Sequence, residues 1–333
     1  MDMSEVRFLS SDDLHGLATP AEYVEAVRDG YRQRGDGAPA RPRTRLDSDD
    51  PQGFLTSYTA ILPDSGAMGG YMYAAGFESR DAHFALPLFD AASGELMAVL
   101  DGASMNPYKT GAAGAVGVDA LAREDASSLG IIGSGSQARG QLLATATVRE
   151  FETVAVFSPT QEHRESFAAS MDDTLDASVQ AVEDSETAVR GSDVVITATR
   201  ATEPVFDGEW LDPGTHVTAM GQYDPDKREL DETTIARSTY VPDLLGRIDR
   251  DAGAYMQALA EGAIEEGHVH AELGDVVAGT APGRTADAEI TVFDSGGTGI
   301  ETVAAAKLLF DRAREEGLGE SVSFSPASEA FFG

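Results

Sequence analysis

The stretch Gly130–Gln141, GIIGSGSQARGQ, decides how this chain is read. Ile131 and Ile132 run into Gly133-Ser134-Gly135, and helix-forming residues follow. A buried strand that turns sharply into a helix is written this way. Gly133 suits the tight turn, Gly135 lets backbone N–H groups approach a pyrophosphate, and Ala138 stands where helix packs on strand. With Ser136 and Gln137 these residues form a phosphate loop whose helix offers its positive end to the anion.

The next strand, over residues 153–157, follows at the spacing of a βαβ unit. An acid at its tip would hold a free ribose 2′-hydroxyl. The chain instead continues SPTQEHR, and Ser158, Thr160 and Arg164 can hold a 2′-phosphate, which favours NADP over NAD. The run Ser158-Pro159-Thr160-Gln161 also reads as a capping box with proline at the first helical position.

Working outward, the segments LGIIGSG, TVAVFS, SDVVITAT, THVTAMG, TYVPD and ITVFDSGG alternate with helical stretches after about Asn106. Strand, helix, strand in this order predicts a parallel, doubly wound sheet. Before it, VRFLS, TRLDS, FLTSYTAILP, GGYMYAAGF, FALPLFDAASG and LMAVLDG are strand-like runs broken by Gly, Pro and Asp, which predicts a mostly antiparallel sheet. Thr19 and Pro20 open a helix that ends near Gly35, and a last helix runs from Gly299 to about Glu316. The fold class is α/β: a Rossmann doubly wound parallel sheet over residues 111–304, plus an α+β domain over 1–110 to which the last helix can lead the chain back.

Composition bounds the chemistry. The chain has 333 residues and no cysteine, so thiolate chemistry and disulfides are excluded. No apolar run reaches the roughly 18 residues of a membrane span, and the first residues show no signal-peptide pattern, which suits a cytoplasmic protein. Twenty-four basic residues face 57 acidic ones, for a net charge of −33. The acids are spread along the chain, so they form a solvated shell, the pattern of an extreme halophile. Such a surface repels nucleic acid and anionic membranes.

Six segments, KTGAAGAVGVDALARED, GIIGSGSQARGQ, SDVVITATRATEPVF, PGTHVTAMG, PDKREL and AEITVFDSGGTGIETVAAAK, resemble in order and spacing the ornithine cyclodeaminase/mu-crystallin family, and most closely its archaeal alanine dehydrogenase branch. The resemblance covers nearly the whole chain. It implies that residues 1–110 with 305–333 form a substrate-binding and dimerisation domain, that the protein is a homodimer, and that a nicotinamide cofactor faces a cleft for a small amino or imino acid. It also implies that Thr110, Thr199, Gly221, Ser295 and Gly297, which lie within or beside the matching segments, face the cofactor.

Three positions depart from the family. Met72 stands where the family's catalytic lysine would be, and methionine carries no proton. It reads either as a lost function or, with Tyr71 and Tyr73, as an apolar substrate wall. Lys109 replaces the arginine of the RTxAA motif and keeps the charge without the bidentate fork. Tyr223 takes the place of an acidic residue, with Asp224 beside it; either is a candidate acid/base. In APARPRTRL, Arg41 or Arg43 falls near the family's substrate-carboxylate arginine, and two residues apart on a strand they would point the same way. His268, His270 and Glu272 lack a clear further ligand, so no metal is expected. The reading is an NAD(P)-dependent oxidoreductase of amino or imino acids. The alternatives are a redox-neutral ornithine cyclodeaminase and a silent ligand-binding protein.

Overall fold

The computed structural model describes residues 4–78 and 81–327. The strands before the glycine loop are β1 (Ser4–Leu9), β2 (Thr44–Asp49), β3 (Gln52–Leu62), β4 (Ala67–Ala75), β5 (Ala85–Asp90) and β6 (Leu96–Asp101). From the loop onward come β7 (Ser128–Ile132), β8 (Thr153–Phe157), β9 (Ser178–Ala181), β10 (Val194–Thr197), β11 (His216–Ala219), β12 (Ser238–Pro242), β13 (Ile290–Asp294) and β14 (Glu320–Phe324). The helices are α1 (Ser11–Leu14), α2 (Pro20–Gly35), α3 (Asn106–Leu121), α4 (Ser136–Thr145), α5 (Gln161–Asp172), α6 (Ser185–Val189), α7 (Glu232–Ala236), α8 (Gly253–Ala260), α9 (Leu273–Val277) and α10 (Gly299–Glu316).

One sheet runs β14-β1-β6-β5-β4-β3-β2, antiparallel except where β1 lies parallel to β6. The other runs β12-β13-β11-β10-β7-β8-β9 and is parallel throughout. Its central strands are buried end to end, so they read as apolar runs without alternation. The chain leaves β7 toward β8 and β9, then returns to β10 on the other side. That reversal opens a crevice at the carboxyl ends of β7 and β10, where α/β sheets bind ligands.

Local chemistry sets the helix ends. Thr19 caps α2 and exchanges bonds with Glu22, with Pro20 in the first turn. Tyr23, Val24, Val27 and Tyr31 form its buried stripe. Helix α3 is buried nearly all round and packs on α4 through glycine: a Cβ on Gly111 would meet the Gly140 carbonyl oxygen at 2.1 Å, and one on Gly140 the Pro107 oxygen at 2.2 Å. Helix α10 packs on β3 and β4 and hands the chain to β14, beside β1. Residues 328–333 of the expected 305–333 segment lie outside the described residues. Among the described residues no helix is long and apolar enough to cross a membrane.

Two local expectations need correction. Arg41 and Arg43 do not share a face, because β2 begins only at Thr44 and Pro42 keeps the preceding residues out of the strand: Arg41 is exposed and Arg43 is buried. The capping box at Ser158-Pro159-Thr160-Gln161 does not form either. Helix α5 starts at Gln161, and its N-cap Thr160 makes no side-chain cap bond.

Candidate active site

The glycine loop closes the crevice from below. Gly133 adopts φ +125°, and a Cβ there would meet the Ala198 carbonyl oxygen at 2.4 Å, so strand β7 and the end of β10 touch through a residue without a side chain. Gly135 is different: a Cβ there would meet nothing within 4 Å. It is the N-cap of α4, with no side chain bonded across the first turn, so those N–H groups are left for an anion. Ser136 is exposed, Ala138 is buried, and Gln137 holds a buried Oε1 with no hydrogen-bond partner. These features fit a dinucleotide pyrophosphate.

At the tip of β8 the Ser134 hydroxyl donates to the Ser158 hydroxyl at 2.9 Å, and Arg164 reaches the Ser158 carbonyl at 3.0 Å. No carboxylate stands there. At the tips of β10 and β11, the buried Glu229 accepts from the Thr197 hydroxyl (2.9 Å) and the N–H groups of Thr199 and Gly221 (both 2.7 Å). Burial pushes its carboxyl upward, against these donors. Thr110 spends its hydroxyl on the Asn106 carbonyl, and its own carbonyl accepts from Gln141.

The loop after β13 faces the other sheet. Asp243 Oδ2 accepts from the Ser295 hydroxyl and from the N–H groups of Gly296 and Gly297, at 2.9, 3.0 and 3.2 Å. Arg247, fully buried, ties Asp243 to Asp251 at 2.8 and 2.6 Å. Ser295 is therefore engaged behind the loop, while Gly297, at φ +84°, forms its front. A Cβ on Gly297 would lie 3.7 Å from both Arg43 Nη2 and Lys109 Nζ and 3.6 Å from Glu301 Oε1.

Arg43 comes from the segment just before β2, Lys109 from α3 and Glu301 from α10. Arg43 donates to the Tyr73 hydroxyl at 2.5 Å and to the Gly296 carbonyl at 2.6 Å, and its buried Nε has no hydrogen-bond acceptor. Tyr58 and Tyr223 stack on its guanidinium at 4.7 and 4.1 Å. Lys109, on α3, is buried between the rings of Tyr58 and Tyr71 and donates to Glu301 at 3.2 Å. Burial pulls its ammonium pKa down, while Glu301 opposes the shift. An ammonium has three N–H donors, so Lys109 and Arg43 together can still bind a carboxylate.

The expected site residues thus separate. Arg43, Lys109, Tyr223 and Gly297 converge. Arg41 lies outside, beside Ile61 and Phe89. Met72 is 52% exposed on the opposite face of β4 from the buried Tyr71 and Tyr73, so it lines no part of this pocket, and Tyr73 stands on the side facing Arg43. Asp224 pairs with Arg45 at 3.6 Å and Lys227 at 3.5 Å on the rim. His268 and His270 turn to different carbonyls, of Ile235 and Pro282. Sequence reasoning missed Glu301, Glu229, Asp243, Arg247 and Asp251. Glu301 carried a signal, the Thr298-x-x-Glu301 capping box, which it also forms.

The chain is similar to several known proteins. A family model described as ornithine cyclodeaminase/mu-crystallin matches residues 6–317. A Δ1-pyrroline-2-carboxylate reductase of Bacillus cereus is 36% identical over 239 residues, 71% of this chain and 73% of that one. The structure of Thermococcus litoralis Δ1-pyrroline-2-carboxylate reductase with NADH and L-proline superimposes with a TM-score of 0.89 at 34% identity, covering 95% of this chain and all of that one. An archaeal alanine dehydrogenase dimer with bound NAD gives a TM-score of 0.89 at 30% identity, over 97% and 100% of the two chains. With a crevice that fits a nicotinamide dinucleotide and a cationic pocket facing it, the chain belongs to the ornithine cyclodeaminase/mu-crystallin family.

Proposed function

We propose that this chain reduces a small α-imino acid to the amino acid, using NADPH in preference to NADH, and works as a homodimer. The observation that carries the reading is the convergence of Arg43 and Lys109 on Gly297, at the carboxyl end of the nucleotide sheet. The substrate carboxylate bridges the two cations, and Tyr223 covers it from above. Tyr58 and Tyr71 form an aromatic floor under Lys109, which suits a compact, uncharged side chain or a five-membered ring. When bound, the reduced nicotinamide supplies hydride to the carbon beside that carboxylate. Fixing the carboxylate at two points aligns this carbon and keeps it from rotating away.

The preference for NADPH rests on the hydroxyls of Ser134 and Ser158 at the β8 tip, where an acid would repel a 2′-phosphate. The homodimer rests on the outer face of the antiparallel sheet, where Leu46, Leu55, Ile61 and Met72 are exposed together. The test follows nicotinamide absorbance in molar KCl, offering each cofactor with cyclic imino acids and with 2-oxo acids plus ammonia. Reduction of an imino acid with NADPH supports the reading. Ammonia release from L-ornithine without net nicotinamide change would replace it with cyclodeamination.

A further inference from the structure

Lys109 is the buried lysine of the pocket, and its surroundings are fully specified. Glu301 on α10 accepts from it, and Tyr58 on β3 and Tyr71 on β4 cover it on two sides. Arg43 lowers the pKa of its ammonium further and Asp243 raises it. From the space in front of Gly297, its Nζ and the Arg43 guanidinium are equally near, at 3.7 Å. In an α-imino acid the nitrogen is two bonds from the carboxyl carbon. A carboxylate held on Arg43 therefore places that nitrogen beside Nζ.

We propose, resting on the reduction reading above, that Lys109 gives the imino nitrogen its proton and is thus a catalytic residue as well as a carboxylate anchor. In the step, hydride forms the new C–H bond, the C=N π pair moves onto nitrogen, and nitrogen takes a proton from Nζ. One hydride and one proton are consumed, and Lys109, left as a neutral amine, is reprotonated from water as product leaves. Glu301, which also accepts from the Thr298 N–H, holds Nζ in place through the cycle.

The other proton-bearing groups fit this role poorly. Tyr73 is bonded to Arg43, and burial raises the hydroxyls of Tyr58, Tyr71 and Tyr73 away from neutrality. Asp224 is paired on the rim, and Asp243 is saturated by four donors and Arg247. The Lys109 ammonium, whose pKa burial lowers, is the more acidic cation and gives up its proton more readily than Arg43 can.

Lys109→Arg separates anchoring from proton transfer, because arginine keeps the charge and cannot be deprotonated. The expected result is a loss of about 100-fold or more in kcat. Affinity for pyrrole-2-carboxylate, a planar carboxylate without an imine, should change no more than about threefold. The chain has three lysines, so labelling lysine with 13C at Cε gives three resonances, and Lys227→Arg and Lys307→Arg assign Lys109 by elimination even where Lys109→Arg does not fold. Lys109 should titrate below the ordinary lysine range. Normal kcat in a folded Lys109→Arg, or a Lys109 resonance that titrates in the ordinary lysine range, overturns the proposal. A wild-type enzyme that reduces no imino acid overturns the reduction reading first.

Discussion

The ring of Tyr223 lies over the guanidinium of Arg43, 4.1 Å from ring centroid to guanidinium carbon, whereas its neighbour Asp224 turns away to Arg45. The stack joins a loop of the nucleotide sheet to the substrate side. It places an aromatic lid on the arginine proposed to anchor the carboxylate. Arg43→Lys keeps the charge but loses the fork and the stack, and should lower kcat/KM by about tenfold or more, mainly through KM. Tyr223→Phe keeps the stack and should stay within about threefold of wild type by the same measure. A large kcat loss in Tyr223→Phe would make that hydroxyl a proton carrier.

The two glycines of the phosphate loop should fail differently. Gly133→Ala meets both a positive φ and a backbone oxygen, so it should cost the fold about 1–3 kcal/mol, seen as a lower melting temperature. Gly135→Val has open space around it and should leave melting of the cofactor-free protein nearly unchanged. Its branched side chain occupies the pyrophosphate path, so NADPH affinity should fall by more than about tenfold. Fluorescence titration with NADPH, beside thermal melts, checks both.

The outer face of the antiparallel sheet predicts its own cover. Leu46 and Leu55 sit opposite each other on β2 and β3, and Met72 lies one strand further. Leu55→Glu with Met72→Glu places two charges on that face and should turn a dimer into a monomer by light scattering. An unchanged mass would move the interface elsewhere.

Salt should act on the whole molecule. With a net charge of −33, raising KCl from about 0.1 M to about 2 M shortens the screening length and relieves self-repulsion. The melting temperature should climb across that range, and unfolding in low salt should be spontaneous or nearly so. A melting temperature independent of KCl contradicts this.

His216 supplies a pH signature. Its imidazole is wholly buried, bonded to the hydroxyls of Thr291 and Thr218 at 2.9 Å each, and burial lowers its pKa from 6.5 to about 3. The unfolded chain takes up a proton as pH drops below 6.5, and the folded chain does not. Stability is therefore complete above pH 6.5 and falls by up to about 1.4 kcal/mol per pH unit toward pH 3. Denaturant melts at fixed salt should show this slope, and His216→Gln should flatten it while lowering stability at neutral pH.

Much of the nucleotide half was legible, because its signals are local: a glycine at a positive φ and apolar runs buried on both faces. Strands β9 and β14 were not, since SVQA and ESVSF are four and five residues long with two apolar residues each, too short an alternation to stand out from the surrounding loops. The substrate pocket was half legible. Alternation along β4 separates Met72 from Tyr71 and Tyr73, a period-two signal present in the sequence. Arg41 and Arg43 defeated the same rule because Pro42 lies between them. Glu229, Asp243 and Asp251 look like any other acids in so acidic a chain, and their burial follows from contacts far away in sequence.

The glycine contact between α3 and α4 has a mechanical meaning. Lys109 rides on one of these helices and the phosphate loop opens the other, and where Gly111 meets Gly140 nothing but backbone separates them. The lysine proposed to give the proton and the dinucleotide cradle are in effect a single casting, whose spacing no rotamer change can adjust.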